Sequence, residues 1–111
     1  MIEAYNSPNL DAAFTALGYG KRRGMIHALA FRPATVSQLA KEFKLSLPAI
    51  HKHIRLLEKA KLIQRKKVGR VNFLALNRRS LKETQDWIMQ FNTDWGSDKE
   101  TLENYIAGLS E

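Results

Sequence analysis

The fold is decided by residues 45–63, which read LSLPAIHKHIRLLEKAKLI. Ser46 is a good N-cap, and the helix that it opens is expected to run to about Ala60. Pro48 falls in the first turn, where its missing N–H costs nothing, so the Ser46 hydroxyl should accept a hydrogen bond from the Ala49 N–H. Apolar residues at helical spacing predict the buried stripe of this helix: Ile50, Ile54 and Leu57.

A second predicted helix lies directly upstream. Thr35 and Gln38 have the spacing of a capping box, in which a hydroxyl residue is followed by an amide residue one helical turn later. The apolar stripe that follows is Val36, Leu39, Ala40 and Phe43. Only a short turn separates the two helices, and two helices joined in this way are the signature of a helix-turn-helix unit. We therefore predict this unit over residues 35–60.

Downstream of that unit, the sequence predicts a β-hairpin over residues 62–76, which we call the wing. Its two strands flank Gly69, which is suited to a tight turn. Both faces of the second strand carry apolar residues, so alternation alone does not decide which face is buried. The predicted fold class is mainly α with a small β-hairpin (α+β), a winged helix-turn-helix with long N- and C-terminal helices.

The N-terminal part is predicted to begin with a flexible arm over residues 1–8, because its first residues show no pattern. Ser7 and Pro8 then have the character of a helix start. One helix is predicted over residues 9–17, and another over residues 21–30.

The last predicted helix, residues 80–109, has the most regular pattern in the chain. Ser80 and Glu83 have capping-box spacing, and a heptad register of mostly apolar residues then runs through Gly96. We favour one continuous helix over two helices with a new start at Ser97. At 1.5 Å per residue it would be roughly 43 Å long, whereas a domain of this size has a radius of gyration of only about 13 Å.

A helix that extends beyond its own core predicts a partner chain, so we expect a homodimer formed by helices 9–17 and 80–109. The expected interface residues are Leu10, Phe14, Leu17, Ile88, Phe91, Trp95, Leu102, Tyr105 and Leu109. Whether a small-molecule inducer exists is left open by the sequence. A pocket for one at this interface would be lined by Trp87, Phe91, Trp95 and Tyr105, although aromatic residues at heptad spacing more often form core.

Positive charge is concentrated in the central third of the chain. Residues 44–79 carry eleven Lys or Arg and one acid, out of a total net charge of +7. Such clustering is typical of proteins that bind a polyanion. Because no acid lies between Glu58 and Glu83, we expect the basic wing tip to have no internal partner. The predicted DNA contacts are Ser46, Leu47, Ala49, His51, Lys52, Arg55, Lys66, Lys67 and Arg70.

The stretch 45–63 resembles the signature of ArsR/SmtB-type transcriptional regulators. Further matches over roughly residues 9–109 are Phe14-Thr-Ala-Leu17 with Arg22-Arg23, the wing pair Gly69-Arg70, and Leu76-Asn77. The resemblance implies a homodimeric repressor of pseudo-palindromic operators, with the first and last helices forming the dimer interface.

This chain departs from the ArsR/SmtB pattern at three places. The family often has glutamine at the position of Leu47 and serine or threonine at that of His51, so the base preference of the family does not carry over there. It often has Asp-Pro where this chain has Tyr19-Gly20. We expect that last difference only to loosen the loop.

Metal sensing, cofactor binding and catalysis are not expected. The chain has no cysteine. His51 and His53 lie about 200° apart around a helix, so they cannot share one ion. Glu100 and Glu103 are interpreted as a solvated face, and no phosphate loop, nucleophile elbow or paired catalytic carboxylate is present. No apolar run reaches the roughly 18 residues of a membrane span, and no secretory signal is visible, which favours a cytoplasmic protein.

Two other functions use the same fold. One is a winged-helix protein-interaction module with an acidic partner, which the outward basic helix face disfavours. The other is a non-specific architectural DNA binder. The sequence leaves open the operator, the regulated genes, and the choice between repressor and activator.

Overall fold

The computed structural model describes residues 7–93 and 102–109. In chain order the elements are α1 (Pro8–Leu17), α2 (Gly20–Phe31), β1 (Ala34–Thr35), α3 (Val36–Glu42), α4 (Leu47–Lys59), β2 (Ile63–Val68), β3 (Val71–Leu76), α5 (Arg78–Thr93) and α6 (Leu102–Leu109). The predicted class, mainly α with a small antiparallel sheet in a winged helix-turn-helix, is confirmed.

The predicted caps of the helix-turn-helix unit are confirmed. Ser46 Oγ accepts a hydrogen bond from the Ala49 N–H at 3.3 Å and so begins α4. Thr35 and Gln38 form the reciprocal capping box of α3, with distances of 3.1 and 2.8 Å. Ser7 likewise caps α1, which begins at Pro8, one residue earlier than expected. These side chains satisfy N–H groups that a helix start leaves without partners.

Both helices of the unit end in a Schellman motif, and the turn between them depends on one of these. Lys44 has a φ of +55° and Lys61 a φ of +59°. The Leu45 N–H donates to the Ala40 carbonyl at 2.9 Å, and the Leu62 N–H donates to the Leu57 carbonyl at 3.0 Å. This left-handed position usually holds glycine, so here lysine adopts a strained backbone conformation to make a tight turn.

The sheet has the strand order β1-β3-β2 and is antiparallel throughout. The wing is therefore the expected hairpin, closed by the Val68–Val71 pair around a two-residue turn with Gly69 at a φ of +62°. A third strand that the sequence did not predict, β1, pairs two residues with β3. The buried face of β3 is that of Leu74, while Phe73 is exposed.

The start of α5 corrects a prediction. The helix begins at Arg78, because the Asn77 carbonyl accepts the first backbone hydrogen bond of the helix, from the Leu81 N–H at 3.3 Å. Ser80 lies inside the first turn and accepts a hydrogen bond from Asn77 Nδ2 at 3.0 Å. The predicted capping box of Ser80 and Glu83 is therefore wrong. The prediction that the last helix continues through Gly96 concerns residues outside those that the structure describes.

The core lies between the helices and the inner face of the wing. Its fully buried side chains are Met25, Leu39, Ile50, Ile54, Leu57, Leu62 and Leu74. The stripe predicted for α4 is wholly within this set. Because that stripe is buried, the opposite side of α4 is held outward in one orientation.

Candidate nucleic-acid interface

The outward side of α4 carries the residues that the sequence analysis assigned to DNA. Leu47 is 55% exposed, and Ser46, Lys52 and Arg55 are also exposed, whereas Ala49 and His51 are half-buried. We call these six residues of α4 and its cap the reading face. They lie mainly in the first half of the helix, which is the part of a recognition helix that contacts base edges.

The wing has two different faces, and the register separates its lysines. Lys66 pairs with Phe73, whereas Lys67 pairs with Asn72. Because successive residues of a strand point to opposite faces, Lys67 lies on the same face as buried Leu74 and faces the α4 side. Lys66 lies on the outer face. The sequence placed both lysines together, and the structure separates them.

One basic side chain of the wing does have an acidic partner. Arg65 donates from Nη2 to Glu58 Oε1 at 2.7 Å and from Nε to Oε2 at 3.2 Å. The expectation that the wing lacks an internal partner is therefore wrong for Arg65, because the last turn of α4 lies beside β2. These two hydrogen bonds fix the position of the wing relative to α4.

The other basic residues of this surface keep their charge available. Among residues 7–93 and 102–109, the ion pairs are Arg65–Glu58 and Lys82–Asp86. Neither includes the basic residues assigned to DNA: Lys52, Arg55, Lys66, Lys67 and Arg70. A phosphate backbone could pair with these side chains without breaking an ion pair of the described residues.

A pair of arginines ties α1 to α2. Arg22 donates from Nε to the Ala16 carbonyl at 2.7 Å and from Nη2 to the Thr15 carbonyl at 3.3 Å. Arg23 Nη1 donates to the Leu17 carbonyl at 2.8 Å. The last carbonyls of a helix lack partners one turn later, so the Arg22-Arg23 pair caps the end of α1 together with the Gly18 N–H, which donates to the Thr15 carbonyl at 3.2 Å.

Arg22 also contacts His53 of α4. Its Nη1 lies 3.0 Å from His53 Nδ1, and Tyr19 stacks on the His53 ring with a centroid distance of 5.4 Å. The guanidinium carbon of Arg22 lies 5.1 Å from the centre of the Tyr19 ring. Because arginine can only donate, His53 Nδ1 accepts, and the proton of the neutral ring is on Nε2.

This three-residue cluster was not foreseen. Tyr19-Gly20 was expected only to loosen the loop, which is wrong, since Tyr19 packs on His53. Burial, with the nearby charges of Arg22, Lys21 and Lys52, lowers the pKa of His53. The sequence carried one signal, an aromatic residue beside a pair of arginines, but no spacing rule connects it with His53.

Several residues predicted for the dimer interface form an exposed aromatic patch. Phe14 is 41% and Phe91 48% exposed, and each meets Trp87 edge to face, with centroid distances of 5.7 and 4.9 Å. With Ile88, also exposed, these residues form what we call the aromatic patch. Apolar residues of this size at a surface are typical of a protein contact.

The other residues of the predicted interface are placed differently. Leu10 is only 5% exposed, and Leu17 packs against the core, so neither offers much surface. The apolar residues of α6 are all exposed: Leu102, Tyr105, Ile106 and Leu109. Trp95 lies outside the described residues. Met89 and Ile106 are exposed apolar residues that the heptad register missed.

Two further properties concern the described part of the chain alone. In residues 7–93 and 102–109, no three His, Asp or Glu side chains lie close enough together to hold one metal ion. No helix in that part is both long and apolar enough to cross a membrane.

Two of the comparisons with known proteins name the same family, and the others are with transcriptional regulators. The arsR family of bacterial regulatory proteins matches residues 20–65. The HTH-type transcriptional regulator Rv2034 of Mycobacterium tuberculosis is 37% identical over 62 residues, and the match spans 56% of this chain and 56% of that relative. The transcriptional repressor SdpR of Bacillus subtilis is 26% identical over 82 residues, covering 74% of this chain and 91% of SdpR. A crystal structure of an ArsR family transcriptional regulator shares 36% identity, with a TM-score of 0.72, over 78% of this chain and 90% of its own.

Proposed function

We propose that this chain, which belongs to the arsR family of bacterial regulatory proteins, is a single-domain homodimeric repressor of a pseudo-palindromic operator. The observation that carries the proposal is the reading face. The apolar stripe of α4 is fully buried, whereas its opposite side presents basic side chains without ionic partners in the described part of the chain. The core accounts for the apolar side of α4, and a large anionic ligand such as DNA would account for its basic side.

In the proposed complex, α4 lies in the major groove with its first half against the bases. Lys52 and Arg55 are suited to guanine or to a phosphate, and Leu47 to the methyl group of thymine. The wing then follows the neighbouring backbone. In this complex Lys67 and Arg70 would contact phosphates there or enter the minor groove.

The proposed partner of the aromatic patch is a second copy of the chain. Burying it together with the apolar residues of α6 would bring two copies of α4 to successive major grooves, about 34 Å apart. The resemblance to SdpR, which is named a transcriptional repressor, supports repression as the outcome.

We further propose that the protein acts in the cytoplasm without a metal ion, a cofactor or a catalytic activity. The chain has no cysteine for a thiolate site. His53, one of its three histidines, already accepts a hydrogen bond from Arg22 through Nδ1.

Selection of bound duplexes from a random DNA pool tests this function. We expect an inverted repeat whose half-sites are one helical turn apart, with an affinity that falls steeply as salt rises. A scrambled duplex of the same composition is the control. Equal affinity for both duplexes would favour an architectural DNA binder. The absence of DNA binding would favour a protein-interaction module, and either result would overturn the proposal.

A further inference from the structure

A pocket of about 390 Å³ lies where the loop between α1 and α2 meets the first half of α4. We call it the junction pocket, and its lining residues are Tyr19, Arg22, Ala49, Lys52 and His53. None of these side chains is acidic. Within the described ranges 7–93 and 102–109, neither Arg22 nor Lys52 forms an ion pair. The described part of the chain therefore leaves the positive charge of this pocket without an ionic partner.

The donors of this pocket are held in place by contacts inside the protomer. Arg22 is anchored to the carbonyls of Thr15 and Ala16 and to His53 Nδ1. Because Nδ1 accepts that bond, the neutral imidazole presents an N–H at Nε2. Tyr19 fixes the ring plane by stacking on it. The residues that line the pocket thus include an imidazole, a phenol and an ammonium-bearing lysine, hydrogen-bond donors that together suit an oxyanion.

The electrostatic surroundings favour the same ligand. Burial, followed by the charges of Arg22, Lys21 and Lys52, lowers the pKa of His53. A histidine whose charged form is opposed by three cations lies in a region of positive potential. An anion placed there would relieve that repulsion, while the neutral ring remains a hydrogen-bond donor.

The junction pocket lies on the opposite side of α4 from the wing. The wing is anchored to α4 at Glu58. At 100° per residue, Ala49 is about 180° and His53 about 140° around the helix from Glu58. A helix with its side chains is about 10–12 Å wide, close to the roughly 12 Å width of the major groove. A helix in that groove therefore meets a phosphate strand on each side.

We propose that the junction pocket binds a backbone phosphate of DNA on the side of the major groove away from the wing. The inference rests on the proposed function and deepens it. The reading face is then held between two phosphate contacts, one from Lys67 and Arg70 and the other from Lys52, Tyr19 and His53. The rigid Arg22–His53 contact sets how deeply α4 enters the groove.

The test uses two substitutions of His53 in the full chain, measured by fluorescence anisotropy on the duplex obtained by selection. His53→Asn keeps an acceptor near the position of Nδ1 but loses the distant N–H, whereas His53→Gln keeps an N–H at the position of Nε2. We expect His53→Asn to weaken binding about tenfold and His53→Gln to weaken it much less. His27→Asn, at an exposed histidine of α2, is the matched control and should bind as the wild type does.

Single methylphosphonate linkages in the duplex locate the contact, because they remove the charge of one phosphate. At one flanking position the methylphosphonate should weaken wild-type binding and abolish the difference between wild type and His53→Asn. Tyr19→Phe, which keeps the stacked ring, should show the same non-additivity with a smaller loss. This variant also decides the question if His53→Asn fails to fold, as judged by its circular dichroism melt.

Three outcomes distinguish the alternatives. If the wild type binds no selected duplex, the proposed function has failed. If it binds while His53→Asn and Tyr19→Phe match it, the junction pocket contacts no phosphate and the inference is overturned. If His53 resonances shift with millimolar inorganic phosphate but no methylphosphonate position couples to His53, the pocket binds a free phosphate compound, which also overturns it.

Discussion

Helices α4 and α5 are both amphipathic, yet the protomer uses their apolar sides differently. In α4 the apolar stripe is completely buried, with Ile50, Ile54 and Leu57 at 0% exposure. Among residues 78–91 of α5 the buried residue is Thr84, at 4% exposure, while Ile88 and Phe91 are about half exposed. The core of the same protomer covers all the apolar residues of this stripe in α4, so the opposite side of the helix is available for a ligand. The apolar side of α5 is left partly exposed, which is the basis for proposing a second copy of the chain as its partner.

The largest expected effect on operator affinity comes from placing a charge on the exposed apolar side of α5. Phe91→Glu should convert the dimer into monomers in sedimentation, because a carboxylate would be buried without a partner. Affinity for the two-site operator should then fall about a hundredfold or more, since the two half-sites no longer bind as one unit. Gln85→Glu, which adds the same charge at an exposed position of α5, is the control. A dimeric Phe91→Glu would show that α5 does not form the interface.

The wing should show a smaller effect that depends on which face carries the charge. Lys67→Gln with Arg70→Gln should weaken operator binding and reduce the slope of log K against log salt by about 3.6, the value for four lost phosphate contacts, two from each protomer of the proposed dimer. Lys66→Gln is the control from the outer face and should change the slope less. An equal effect of Lys66→Gln alone would contradict the arrangement of the wing derived from the strand register.

The contact between α2 and α4 should appear as a pH dependence of stability. The pKa of His53 is lowered in the folded protein, first by burial and then by neighbouring cations. The unfolded chain therefore binds more protons near its ordinary pKa of about 6.5, so the free energy of unfolding should decrease as pH falls through that value. Urea unfolding between about pH 7.5 and 5 measures this. His53→Asn should remove the part of this pH dependence that comes from His53. If the substitution leaves the profile unchanged, the pKa of His53 is not lowered by its surroundings in the folded protein.

The smallest effect concerns the turn before α4. Lys44→Gly should raise the free energy of unfolding by about 0.5–1 kcal/mol, because the left-handed conformation is costly for lysine and the greater freedom of unfolded glycine offsets only part of that cost. Lys41→Gly, within α3, should instead destabilise the protein by about 1 kcal/mol. A destabilised Lys44→Gly variant would show that the lysine side chain has a structural role in the turn.

Elements governed by local rules were predictable from the sequence. Three features each depend on residues only a few positions apart: the Ser46 cap, which accepts from the Ala49 N–H, the capping box of Thr35 and Gln38, and the hairpin around Gly69. The Schellman turns were harder to foresee, because lysine stands where glycine is usual.

Contacts between distant parts of the chain could not be derived in the same way. The cluster of Tyr19, Arg22 and His53 joins residues more than thirty positions apart. The short strand β1 is defined by its pairing with β3, which lies almost forty residues later in the chain. The heptad register of the last helix predicted that Ile88 and Phe91 share a surface, but Thr84, one turn before Ile88 in the same register, is buried inside the protomer. Periodicity marks a face and does not say which neighbour covers it.

The most direct test of the central claim, that α5 pairs two copies of the reading face, is the dependence of affinity on half-site spacing. Inserting five base pairs between the half-sites of the selected operator turns one of them by about half a helical turn. We predict that the affinity of the wild-type dimer then falls to that of a duplex with one half-site, while Phe91→Glu binds both duplexes equally. Unchanged wild-type affinity after the insertion would contradict the account.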